Sequence, residues 1–122
     1  MGWVVNGEPT DHIAAYMVME LATRAWIRFL TDGTAGVFDS EKTAAVTMTT
    51  DFRSELLAGD IDVDLELNKI GNTSITLSFD VGKNGMVCAS GTVVLAKVGA
   101  GRMHSVPIDA AERTALERLL TP

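Results

Sequence analysis

The sequence predicts an α+β fold in which a long, mostly apolar helix is wrapped by an antiparallel β-sheet. Residues 12–31 repeat apolar side chains at helical spacing, whereas residues 59–81 alternate apolar and polar side chains as strands do. Only short turns separate the predicted strands, so neighbouring strands run antiparallel. With 122 residues, 47% of them hydrophobic, the chain is expected to form one domain, residues 1–122, with its own core.

The composition favours a soluble cytoplasmic domain. The net charge of −6 provides no basic footprint for nucleic acid. A single cysteine, Cys88, excludes an internal disulfide and suits a reducing compartment. The front of the chain lacks the pattern of a signal peptide. Glu20, Arg24 and Arg28 interrupt the longest apolar region, which argues against a membrane span.

Residues 3–6 predict a short first strand, and residues 12–31 predict the long helix. The apolar face of that helix holds Val18, Leu21, Ala22, Ala25 and Phe29. Its polar stripe is narrow, with members four residues apart: Glu20, Arg24 and Arg28. Because most of its circumference is apolar, the helix must be covered by other parts of the chain. Asp11 is a suitable N-cap, and Asp32-Gly33 is a suitable end.

Four long strands are predicted after the helix. They span residues 42–56, 59–71, 73–81 and 86–98. In the second of these, four acidic residues alternate with four apolar ones, which indicates one buried and one solvated face. Lys83-Asn84-Gly85 predicts a tight hairpin turn, and the strand after it is apolar on both faces, as in a central strand.

The tail predicts a short helix that closes the chain. Asp109 is a preferred N-cap, and Glu112 follows three residues later, which completes the pattern of a capping box. Leu116, Leu119 and Leu120 are expected to pack this helix against the core.

Local motifs accompany this order of elements. The run EPTDHI, residues 8–13, stands directly before the predicted helix, and RMHSVPI, residues 102–108, precedes the last one. Residues 53–81 combine Gly-Asp, an alternating strand and Ile-Gly. Together they resemble the hotdog fold, and more narrowly the 4-hydroxybenzoyl-CoA thioesterase-like acyl-CoA thioesterases. The resemblance covers nearly the whole chain from residue 4 and implies a long central helix wrapped by an antiparallel β-sheet, with a short C-terminal helix.

The resemblance also implies a site. The motif of that family is D-x-x-G-H-V, so Glu8 matches its catalytic Asp, His12 its His and Ile13 its Val. The first N–H groups of the helix would form the oxyanion hole, since a helix N-terminus has unpaired donors and favours negative charge. We therefore predict three catalytic residues and four substrate-binding residues. These are Glu8, Asp11 and His12, followed by Ile13, Ala14, Ala15 and Tyr16.

The implied activity is hydrolysis of an acyl-CoA to a free acid and CoA. No cofactor is expected, because coenzyme A enters as part of the substrate, and no His and Cys spacing predicts a metal site. Open sheet edges and the resemblance together predict a homodimer or homotetramer. Lys69, Lys83, Lys97 and Arg102 are candidates for the phosphates of CoA.

The motif differs from the family pattern at several positions, which keeps other functions open. Glu8 replaces Asp, Asp11 replaces Gly, and Ala14-Ala15 replaces an Asn pair. One alternative is a non-catalytic hotdog binding or assembly protein with a degenerate site. Another is a hotdog dehydratase or hydratase for enoyl or hydroxyacyl thioesters, although residues 9–12 lack the Asn of its Asn-Pro-x-His loop. Glu20 is a further candidate acid, or a partner of Arg24.

Overall fold

Five strands and two helices follow one another in the predicted order. The structure, a computed structural model, describes residues 1–120. The elements are β1 (Gly2–Val5), α1 (Ala15–Gly33), β2 (Thr43–Phe52), β3 (Gly59–Ile70), β4 (Ser74–Lys83), β5 (Met86–Lys97) and α2 (Ala110–Glu117). Short 3₁₀ turns at Ser40–Lys42 and Ala100–Arg102 precede β2 and follow β5.

The five strands form one antiparallel sheet in the order β1-β3-β4-β5-β2. This confirms the antiparallel prediction and leaves β1 and β2 at the two edges. The pairing shifts register at one point in each of three strand pairs, and such irregularities bend and twist strands. They lie at Ala45/Thr47, Leu67/Lys69 and Val81/Gly82. The resulting curvature lets the sheet wrap around α1.

The core lies between α1 and the concave face of the sheet. The buried side chains of α1 are Val18, Leu21, Ala22, Ala25, Trp26 and Leu30. They belong to one cluster with inward-facing strand residues such as Val63, Leu77 and Val93. The acidic residues of β3 lie exposed on the opposite face, as the alternation predicts. Within residues 1–120, no helix has the length and apolarity needed to cross a membrane.

Helix α1 begins at Ala15, three residues later than predicted, and Asp11 is not its N-cap. The N-cap is Ala14, whose backbone is extended at φ −64° and ψ 149° and whose side chain makes no capping hydrogen bond. The Asp11 carboxylate accepts a hydrogen bond from the Glu8 N–H at 2.8 Å. In return the Asp11 N–H donates to the Glu8 carbonyl at 2.9 Å. Asp11 therefore closes the turn before the helix and does not cap the helix itself.

The late start of α1 has a long-range cause. His12 forms an antiparallel bridge with Leu57, and the Ile13 N–H donates to the Leu56 carbonyl at 2.7 Å. These bonds hold residues 12–13 extended, so they cannot join the helix. Local propensity alone would have allowed the helix to begin there.

The C-terminal end of α1 also differs from the prediction. Gly33 is the last helical residue, and the left-handed backbone occurs later, at Ala35 and Gly36. The Thr34 hydroxyl donates to the Leu30 carbonyl at 2.6 Å and accepts from the Phe38 N–H at 3.1 Å. A buried threonine therefore closes this end of the helix.

Helix α2 has the predicted capping box, formed by Asp109 and Glu112. The Glu112 N–H, donating to the Asp109 carboxylate, is the main cause that lowers the pKa of that carboxyl. Glu112 also pairs with Lys97 of β5, which ties the helix to the sheet. Leu116 is fully buried as predicted, but Leu120 is 36% exposed and does not pack as expected.

Candidate active site

A cavity of about 400 Å³ lies where α1 begins. One wall comes from the start of α1, another from the segment that joins β2 to β3, and the third from β5. Its lining residues are Ile13, Ala15, Val18, Phe52, Arg53, Ser54, Glu55, Leu56, Cys88 and Ala89. The volume lies within the range of small-molecule sites in proteins, which is roughly 300–1,000 Å³.

Free backbone donors stand at the helical wall of the cavity. The N–H groups of Met17 and Val18 donate to the Ala14 carbonyl at 2.9 and 3.3 Å. Within residues 1–120, the N–H groups of Ala15 and Tyr16 have no protein acceptor. Ala15 lines the cavity, and its methyl group leaves room for a ligand. The helix dipole adds positive potential here, so this end of α1 can stabilise an oxyanion.

The opposite wall, called the polar wall below, carries three consecutive polar residues, Arg53, Ser54 and Glu55. The N–H groups of Arg53 and Ser54 both donate to the Cys88 carbonyl, at 2.8 and 3.2 Å. Because two successive donors share one acceptor, the chain leaves the regular ladder here, and β2 ends at Phe52. The predicted strand 42–56 is therefore too long, and these three side chains line the cavity.

His12 contacts the Glu55 carboxylate of this wall. Its Nδ1 lies 2.8 Å from Glu55 Oε2, and the two side chains are 64% and 72% exposed. His12 does not line the cavity, but it contacts a residue that does. An exposed pair of this kind contributes little to the stability of the fold.

The other predicted site residues divide into two groups. Ile13 and Ala15 line the cavity. Glu8, Asp11, Ala14 and Tyr16 are exposed and are not among the lining residues. Within the described chain, the front turn therefore flanks the cavity and does not open into it.

Glu20 has a partner on the helix surface. Its carboxylate lies 2.7 Å from the Arg24 guanidinium, and the side chains are 50% and 60% exposed. This is the ion pair that the four-residue spacing predicts.

Most of the predicted phosphate-binding cations are engaged elsewhere. Lys83 Nζ donates to the Ala58 carbonyl at 2.7 Å, and Lys97 pairs with Glu112. Arg102 donates to the carbonyls of Glu41 and Thr43, at 2.8 and 2.6 Å. Arg53 is the cation that lines the cavity, and it forms no salt bridge with residues 1–120. A run of three polar residues near the end of the predicted strand 42–56 was the sequence signal for this wall.

Cys88 is 5% exposed and belongs to the core, as predicted, although it also lines the cavity. Its Sγ lies 3.6 Å from the Met86 carbonyl oxygen. No group of three or more His, Cys, Asp or Glu within residues 1–120 is arranged to hold a metal ion.

Several solved structures described as thioesterases are similar to this chain along nearly its whole length. A structure described as a predicted thioesterase from Bacillus stearothermophilus matches with TM-score 0.85 and 22% identity, over 99% of this chain and 95% of that one. A Thermus thermophilus thioesterase complexed with coenzyme A and Zn matches with TM-score 0.83 and 20% identity, over 98% and 91%. A gentisyl-coenzyme A thioesterase matches with TM-score 0.76 and 22% identity, over 95% and 98%.

At these identities the likeness shows the fold. The long helix, the five-stranded antiparallel sheet and the short C-terminal helix match these solved structures, so the predicted hotdog fold is confirmed. No protein-family model matches the chain, and no curated protein sequence does.

Proposed function

We propose that this hotdog chain is an acyl-CoA thioesterase, which hydrolyses a thioester to a free acid and coenzyme A. The observation that carries the proposal is the cavity that joins free helix amides to a wall with a carboxylate and a cation. Structural neighbours support it, since they include a gentisyl-coenzyme A thioesterase and a thioesterase complexed with coenzyme A.

The chemistry needs an oxyanion site and a group that accepts a proton from water. The thioester carbonyl oxygen would sit against the N–H groups of Ala15 and Tyr16, which have no protein partner in the described chain. Donors aimed at developing negative charge act strongly where water is excluded. Glu8, Asp11 and His12 are the proton-transfer candidates from the sequence, and the cavity lining adds a carboxylate, that of Glu55. Ile13, Ala14, Ala15 and Tyr16 remain the predicted substrate contacts.

The lining favours an apolar or aromatic acyl group. Apolar side chains from all three walls face the cavity, among them Ile13, Val18 and Phe52. Burial of an acyl chain there would follow the area removed from water, about 25 cal/mol per Å². Arg53 supplies a local positive charge on a chain of net charge −6, which suits a ligand with phosphate groups.

The first test is a panel of short, long and aromatic acyl-CoAs with release of the CoA thiol as the readout. We expect saturable release for at least one apolar acyl group. Hydration of crotonyl-CoA, followed by loss of the enoyl absorbance, tests the dehydratase alternative in parallel, and we expect none. Hydration without thiol release would replace the proposal with a dehydratase. Binding of acyl-CoA without turnover would indicate a non-catalytic protein.

The open edge of β2 supports a homodimer. This strand pairs only with β5 within residues 1–120, so its outer backbone groups are free. Val46 and Phe52 of the same strand are large apolar side chains that are 64% and 51% exposed. An unpaired apolar edge is a template for pairing with another strand. Two copies joined along β2 would bury the free backbone groups and these two apolar side chains. A tetramer would require a second interface.

Val46→Lys is expected to convert the dimer to monomers, because it places a charge on the edge that the second copy would cover. Sedimentation velocity at matched concentrations of wild type and variant measures the change. Val37→Lys is the matched control, since Val37 is 47% exposed and lies outside the strands. A wild type that sediments as a monomer, or a Val46→Lys variant that sediments as a dimer, would contradict pairing along this edge.

A further inference from the structure

We propose that Glu55 is the general base of this site and that His12 positions its carboxylate. The inference rests on the proposed thioesterase function and deepens it. It moves the base from the turn before α1 to the segment that joins β2 to β3.

Glu55 differs in position from the acids of the turn before α1. Among the lining residues of the described chain, Glu55 is the one that carries a carboxylate. Glu8 and Asp11 do not line the cavity, and they form the turn through hydrogen bonds to each other. A base must reach the water that attacks the carbonyl, so a carboxylate that borders the cavity is better placed than one outside it.

The backbone register places Glu55 near the start of α1. His12 pairs with Leu57 in an antiparallel bridge, and the Ile13 N–H donates to the Leu56 carbonyl. Continued by one more residue on each side, this antiparallel register sets Glu55 opposite Ala14. Ala14 immediately precedes the helix residues with free N–H groups. Backbone pairing therefore places Glu55 next to the residues that begin α1.

The two oxygens of the Glu55 carboxylate differ in their hydrogen bonding. Oε2 of Glu55 is held by His12 Nδ1 at 2.8 Å, whereas Oε1 has no hydrogen-bond partner within residues 1–120. One oxygen is thus fixed and the other remains available to accept a proton. Arg53, two residues before Glu55, forms no salt bridge with the described chain and so does not neutralise this carboxylate.

The reaction balances with these groups alone. Oε1 of Glu55 takes a proton from water while the water oxygen bonds to the thioester carbon. The carbonyl electron pair moves to oxygen, where the N–H groups of Ala15 and Tyr16 hold the oxyanion. When the pair returns, the carbon–sulfur bond breaks, and the proton on Glu55 passes to the departing sulfur. The products are the acid and the CoA thiol, and the carboxylate is restored.

Glu55→Gln keeps the size of the side chain and removes the base. We expect kcat for the best acyl-CoA of the panel to fall about 100-fold or more, with KM within a few-fold, because general-base catalysis contributes about 10²–10⁴. The side chain is exposed, so the variant should unfold at the wild-type temperature. Glu66→Gln is the matched control, since Glu66 is exposed on the outer face of β3.

His12 is tested by restoration of the hydrogen bond. His12→Ala should lower kcat about tenfold without changing KM, because the Glu55 carboxylate loses the partner that holds its direction and small misplacements of a reacting group slow catalysis. His12→Asn places an amide donor near the position of Nδ1 and should recover much of that loss. If the alanine and asparagine variants are equally slow, or both match the wild type, His12 does not act by positioning Glu55.

The role of Glu55 and the thioesterase activity can be tested separately. If the wild type releases CoA and Glu55→Gln retains at least half of its kcat, the assignment of Glu55 is wrong while the thioesterase proposal stands. Loss of release in Glu8→Gln with normal release in Glu55→Gln would move the base back to Glu8. A wild type that releases no thiol from any member of the panel overturns both.

Discussion

Ala15→Pro is expected to fold normally and to lose about two to three orders of magnitude in kcat, the usual cost of removing one oxyanion donor. Proline has no N–H, so the substitution deletes the donor that lines the cavity and has no protein partner in the described chain. Steady-state thiol release, with kcat and KM separated, measures the effect.

The backbone around Ala15 accommodates proline. Ala15 is the first residue of α1, where proline is favoured because its missing N–H would not bond within the helix. The residue before proline must be extended, and Ala14 already is, at ψ 149°. The melting temperature should therefore remain close to that of the wild type.

Ala15→Val is the matched control for the bulk of the proline ring. It adds carbon atoms at the same position in the cavity but retains the N–H. The ratio of the two kcat values isolates the contribution of the donor. Equal kcat values for the valine and proline variants would mean that the Ala15 N–H does not bind the oxyanion.

Gly91→Ala is expected to destabilise the fold by about 1–3 kcal/mol or more, the range found for overpacked cores. A Cβ atom at Gly91 would overlap the Thr49 carbonyl oxygen of β2 and would lie 2.5 Å from Cζ of Phe79 on β4. The strand backbone would have to shift, because the Thr49 oxygen is not part of a flexible side chain. Urea unfolding followed by far-UV circular dichroism measures the loss.

Gly2→Ala is the control for a new methyl group on a strand, since a Cβ there meets nothing within 4 Å. It should leave the free energy of unfolding within about 0.5 kcal/mol of wild type. Comparable stability of the Gly91 and Gly2 variants would contradict the close approach of β2 and β5. Because β2 leads directly into the polar wall, Gly91→Ala should also weaken acyl-CoA binding.

The strands were predictable because their signals are local. Each of β3 and β4 alternates along its own length, and Asn84-Gly85 forms the predicted turn with positive φ at both residues. The capping box of α2 lies within four consecutive residues, so it too could be identified from sequence.

The predicted boundaries of α1 and β2 were wrong because residues distant in the sequence set them. The start of α1 is delayed by pairing with residues near position 57, which no local pattern reveals. The end of β2 is set by the Cys88 carbonyl, which lies about 35 residues further along the chain and draws two N–H groups at once. Two residues singled out from the sequence at the front of α1, Ile13 and Ala15, do line the cavity, but the sequence did not identify the wall that contains Glu55.

The central claim is that thioesters are cleaved in the cavity at the start of α1. Its most direct test is the initial rate of CoA thiol release by wild type, Ala15→Pro and Glu55→Gln on the best substrate of the panel. The account predicts saturable release by the wild type and a loss of about 100-fold or more in each variant. No release by the wild type, or wild-type rates in both variants, would contradict it.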